Sequence, residues 1–275
     1  MSTLLDDPMV QAGLAPFAVA LLVATLLKRW RSAAWLALLA GLLCTWMLTT
    51  GISFTPLSSS RKVMLVVMLA PLLGLVIDLA GWRHRALPIV LSLAAGLLSA
   101  WVFQSVLSQA EGAQGWLTGL GVGLFVALMV GLVLRLRDDG LAGGSATLAL
   151  GVATGVCAVL SASIGTLMNG LALAMGGAAL LALQFLRGTP LAGGYTGALS
   201  TGVASALFAA GTFMLAELRW PALVLLLAVP AVAGLPLFAG RAPRLRSALL
   251  AACAGAAALA PIGMAWFATT GGAAG

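Results

Sequence analysis

Apolar residues in this chain come in runs of roughly twenty, and polar residues are confined to the short gaps between them. The stretch "VMLVVMLAPLLGLVIDLAGW", Val63 to Trp82, is apolar on every face it could form. Neither a strand with one wet face nor an amphipathic surface helix fits that pattern. Inside a bilayer every backbone donor and acceptor needs an internal partner, so only helices and closed barrels cross it. Barrel strands alternate apolar and polar over about ten residues, which these runs do not. The pattern predicts an all-α, polytopic integral membrane protein with about ten transmembrane helices in a single domain over residues 1–275. The runs cover 9–27, 33–50, 62–81, 87–107, 116–135, 145–166, 169–187, 194–215, 221–240 and 247–268. The sixth and seventh are joined by little, near Gly165 to Gly170, and are expected to form a tight hairpin rather than one interrupted element.

Composition closes off the soluble alternative: 62% of the 275 residues are hydrophobic, 8% are charged, and the mean hydropathy is +1.13. A soluble domain carries about a quarter charged residues. The net charge of +7 does not point to nucleic acid, because the cations cluster at the ends of apolar runs. With the amino terminus outside, Lys28, Arg29, Arg31, Arg83, Arg85, Arg135, Arg137, Arg187, Arg241, Arg244 and Arg246 all fall inside. Only Arg61, Lys62 and Arg219 of the fourteen basic residues fall outside. By the positive-inside rule both termini are therefore expected outside, in a bacterial inner membrane. Tryptophans follow the same ends: Trp30, Trp35 and Trp82 at the inner interface, and Trp46, Trp101, Trp116, Trp220 and Trp266 at the outer. The opening "MSTLLDDPMV" has no basic segment, so the first run is expected to stay as a span.

Candidate chemistry is sparse. Ser58, Ser59 and Ser60 precede Arg61 and Lys62 at the start of the third run. Serines there are N-cap candidates, and with free amides and two cations they make a candidate contact for an anion or lipid headgroup. Asp78 is a candidate intramembrane carboxylate. It is read either as an interfacial ion pair with Arg83 or Arg85 or as a proton- or cation-coupling site. Gly119, Gly123, Ala127 and Gly131 in the fifth run, and Gly197, Thr201 and Ser205 in the eighth, recur every four residues. These are candidate packing ridges, since small residues let membrane helices approach closely; hydroxyls on the eighth could alternatively line a solute path. Pro230, Gly234 and Pro236 mark the ninth run as a candidate broken helix. One histidine, His84, and three dispersed cysteines, Cys44, Cys157 and Cys253, offer no metal-ligand spacing, and no catalytic or nucleotide motif appears. No catalytic residue, metal or cofactor is expected.

In the number and length of its spans, five to each half, the chain resembles inverted-repeat carriers such as the drug/metabolite transporter superfamily. The resemblance goes no further, because residues 1–140 and 141–275 do not match each other. The expected function is a non-enzymatic accessory or scaffold subunit of a membrane protein complex. Its expected partners are lipids and other membrane subunits or copies of itself. The alternative is a permease or facilitator for a small, weakly charged solute.

Overall fold

The computed structural model describes residues 7–52, 55, 57–82, 84–109, 112–216, 218–236, 238 and 240–270, and all regular structure among them is helical. The apolar helices, in chain order, are α1 Val10–Leu27, α2 Ala33–Thr49, α3 Ser59–Ala80, α4 Leu87–Val102, α5 Gly112–Arg135, α6 Gly140–Leu160, α7 Ile164–Arg187, α8 Gly194–Leu215, α9 Trp220–Ala233 and α10 Pro243–Thr270. Seven of them, all but α2, α4 and α9, are long and apolar enough to cross a membrane. A single turn, Gln104–Leu107, prolongs α4.

At the centre stands α8, buried almost along its whole length and packed against α3, α5 and α6. Helix α6 is nearly as buried and pairs with α7 on one side and α10 on the other. One apolar core runs through α3, α5, α6, α8, α9 and α10, and a second joins α1, α2 and α7 around Trp35 and Leu38. Helix α4 leans almost entirely on α5. Lipid tails are as apolar as leucine, so these helices associate through close packing rather than a hydrophobic force. Glycine supplies the closeness. A Cβ on Gly151 would stand 2.4 Å from Ala174 N, and one on Gly170 would stand 2.6 Å from Gly155 N, so α6 and α7 touch backbone to backbone.

Contacts between loops sort the helix ends into two groups. At one end Arg31 reaches the Pro190 carbonyl, Trp35 the Leu191 carbonyl, Arg244 the Phe185 carbonyl and Arg137 the Tyr195 hydroxyl. At the other, Lys62 reaches Trp101, Ser59 reaches Ser105 and Trp46 reaches Asn169. The described inner-side cations of the sequence reading share the first group; Arg83 lies outside the described residues.

Several expectations are corrected. Helix α6 begins at Gly140, not near 145, because Asp139 caps it: its carboxylate accepts from Ala142 N at 3.2 Å. The α6–α7 turn lies at Ser161–Ser163, with Ala162 at φ +57°, while Gly165, Asn169 and Gly170 sit inside α7. Gly170 is there for contact with α6, not for a bend. Helix α9 breaks at Leu226–Leu227, four residues before Pro230, where a proline ring crowds the preceding turn's carbonyl. Gly234 ends α9 and Pro236 follows it, so neither interrupts the helix. Trp35 and Trp46 are each 1% exposed, so both are core side chains with bonded indoles rather than headgroup anchors.

Candidate functional site

The densest polar cluster lies at the cation-rich end, where α3, α5 and α8 meet. The helix α8 starts after Gly193, which has no side chain to cap its amides. Asp78 of α3 does so from 117 residues away. Its Oδ1 accepts from Tyr195 N at 2.9 Å, and its Oδ2 accepts from Thr196 N at 2.9 Å and Thr196 Oγ1 at 2.7 Å. A carboxylate at a helix N-terminus is stabilised by the free N–H groups and the helix dipole. Two glycines make room for it. Gly194 takes φ +60°, and a Cβ there would lie 2.4 Å from Asp78 Oδ2. A Cβ on Gly74, one turn before Asp78, would lie 2.6 Å from the Tyr195 carbonyl oxygen.

Arg137, just past α5, completes the joint. Its carbonyl accepts from Gly194 N at 2.9 Å. Its guanidinium donates to Tyr195 Oη at 2.6 Å and lies over the same ring, 4.8 Å from the centroid. Asp78 is thus neither paired with Arg85 among the described residues nor vacant; it is the N-cap of the central helix. The expected pair with Arg85 is not formed, and Arg83 lies outside the described residues; the carboxylate is taken up instead by the free amides and the Thr196 hydroxyl at the start of α8. A second carboxylate does the same for α6: Asp139 caps it and also pairs with Arg246 at the start of α10. Gln184 links these helices, donating to the Gly140 carbonyl and accepting from Leu191 N at 3.1 Å. Sequence reasoning gave Arg137, Asp139 and Tyr195 no role in this joint. An Asp-Gly pair before an apolar run was the available signal for Asp139.

The hydroxyls of α8 are turned inward. Ser200, Ser205 and Thr212 donate to the Thr196, Thr201 and Phe208 carbonyls of their own helix. Thr147 Oγ1 donates to the Gly143 carbonyl, so in its 2.7 Å bond with Thr201 the proton comes from Thr201. Gly197 lies under the Trp35 ring, where a Cβ would come within 2.5 Å. The row Gly197, Thr201, Ser205 therefore faces α2 and α6 in packed contact. Two hydroxyls on α6, those of Ser145 and Thr154, are buried with no partner among the described residues.

The ridge of α5 faces α4. Cβ atoms would meet Leu107 at 3.2 Å from Gly119, the Gly96 carbonyl at 3.3 Å from Gly123 and Ser92 at 3.5 Å from Gly131, while Ala127 stands 3.1 Å from a Cβ on Gly96. At the far end of the molecule Ser58 holds the N-cap position of α3, but its side chain makes no capping bond. Ser59 is buried against Ser105, 2.9 Å apart, Ser60 is exposed, and Arg61 has partners of its own. Lys62 donates to the Trp101 carbonyl at 3.2 Å and stands 4.8 Å from that ring's centroid. Ser59 and Lys62 thus engage the end of α4, while the Ser58 side chain does not cap α3. Comparison with protein-family models and with curated proteins finds no match.

Proposed function

We propose that the chain is a non-catalytic accessory or scaffold subunit of a membrane protein complex. In this reading all ten apolar helices span a bacterial inner membrane, both termini face outside, and the cation-rich end faces in. The short helices α2, α4 and α9 are counted as spans because the loops at their ends join opposite groups. Trp35 of α2, for example, bonds at one end and Trp46 at the other. One observation carries the functional reading: the polar groups of central α8, with the carboxylate that reaches it, are engaged within the protein. A centre committed to its own hydrogen bonds is suited to rigid support. The test is affinity purification from native membranes in mild detergent, with co-purifying polypeptides quantified. The proposal expects another membrane protein at fixed stoichiometry, and a lone chain or a dimer of identical chains overturns it.

The permease reading, for a small, weakly charged solute, is favoured by the hydroxyls of Ser145 and Thr154 on α6, which are buried without a partner among the described residues. It requires Thr154→Val to reduce flux, whereas the scaffold reading has no flux to reduce.

A further inference from the structure

Between α4 and α5 lies a groove of about 1110 Å³, larger than the roughly 300–1,000 Å³ of ordinary small-molecule sites. Its sides are Leu97 and Leu120, 77% and 68% exposed, and its floor is the glycine contact between the two helices. Polar character is confined to one end, where Trp101, Gln104, Ser108 and Trp116 line it. Lys62 stands over the Trp101 ring at that same end. We propose that this groove binds an anionic glycerophospholipid, one acyl chain along the glycine floor and the phosphate beside Lys62. The proposal needs only that the chain lies in a bilayer, not that it is a scaffold.

Three features select that occupant. The first is charge: Lys62 is one of two adjacent cations at the end where cations are few, and it is held at the groove mouth by the Trp101 carbonyl. The exposed Gln104 amide and the Trp116 indole add donors for phosphate or glycerol oxygens, while Ser108 Oγ donates to the Ser105 carbonyl and presents its lone pairs. The second is length. From Gly112 to Ala127 the groove follows α5 for about 22 Å at 1.5 Å per residue, enough to run from headgroup level through the about 15 Å of hydrocarbon in one leaflet. The third is width. A Cβ on Gly96 would lie 2.6 Å from the Gly123 carbonyl oxygen, so the helices close to backbone contact at the floor. The resulting trough has a narrow floor along which a chain of methylenes can lie.

The test is native mass spectrometry of the delipidated full-length protein titrated with dioleoyl phosphatidylglycerol or with phosphatidylcholine of the same chains. Wild type is expected to retain one phosphatidylglycerol in preference to phosphatidylcholine. Lys62→Gln should lower that preference about fivefold, the factor one lysine near an anionic surface contributes. Ala100→Phe, which fills the groove from an exposed position, should remove retention of both lipids. Arg219→Gln, a cation at the same end but outside the groove, should leave the preference unchanged. Quenching of tryptophan fluorescence by brominated phosphatidylglycerol reports wild type directly and should fall in Ala100→Phe. Retention unaffected by Ala100→Phe overturns the proposal, as does an equal loss from Arg219→Gln. So does a dimer cross-linked through Leu97 and Leu120.

Discussion

Replacing Asp78 by alanine removes the acceptor for two backbone amides and one hydroxyl at the start of α8. Bonds to a charged acceptor are worth about 1.5–3 kcal/mol each, and loss of an N-cap costs about 0.5–2 kcal/mol. Asp78 is only partly buried, so water takes up some of the freed amides, and the expected cost is about 2 kcal/mol. For a chain of this size that corresponds to a fall of about 4–8 °C in melting temperature. Asp78→Asn keeps one acceptor oxygen without the charge and should lose about half as much. The assay is thermal unfolding in one detergent, followed by intrinsic fluorescence, with Asp138→Asn as control because that side chain is 87% exposed and its exposed pair with Arg137 is worth at most about 1 kcal/mol. Gly194→Ala should also destabilise, since its Cβ would collide with the carboxylate. Combined with Asp78→Ala it should cost less than the sum, because the collision partner has gone. If Asp78→Ala melts with the Asp138→Asn control, the carboxylate does not hold α8. If the two effects simply add, the geometry of the joint is wrong.

Gly123→Leu should separate α4 from α5 and lower stability by several degrees, whereas Leu124→Ala, 62% exposed, should change it little; the reverse order would place the stripe against lipid. Thr154→Val removes a buried hydroxyl that has no partner among the described residues and keeps the shape, so melting should stay level or rise by the equivalent of about 1 kcal/mol; a marked fall would reveal a bond that Thr154 makes. In sealed cells a cysteine replacing Gln109 should react with an impermeant thiol reagent and one replacing Arg244 should not. Labelling at position 244 would reverse the orientation.

The apolar runs were legible because a bilayer demands them, and each proves to contain a helix. Their ends were not. The start of α6, "GLAGGSA", reads as loop composition, yet its glycines sit against Leu191, Trp35 and Leu181 of neighbouring elements. Likewise Gly165 and Gly170 suggest a turn in sequence, while the turn itself uses Ser161–Ser163 and leaves Gly170 to touch α6. The small-residue stripe of α5 was readable because four-residue spacing lies on one face of a helix. Asp78 could be seen as unusual but not explained. Its partners are 117 and 118 residues away, and nothing local signals that Gly193 leaves α8 without a cap of its own. Trp35 and Trp46 misled for a similar reason: their positions suit an interface, but the indoles find acceptors at Leu191 and Asn169 inside the bundle.

The most direct test of the scaffold reading is the mass of the particle extracted from native membranes in mild detergent, measured by native mass spectrometry. The account predicts an assembly in which this 27.7 kDa chain is joined by a different polypeptide at an integral ratio that survives dilution. A mass of one chain, or of two identical chains and bound lipid alone, would contradict it.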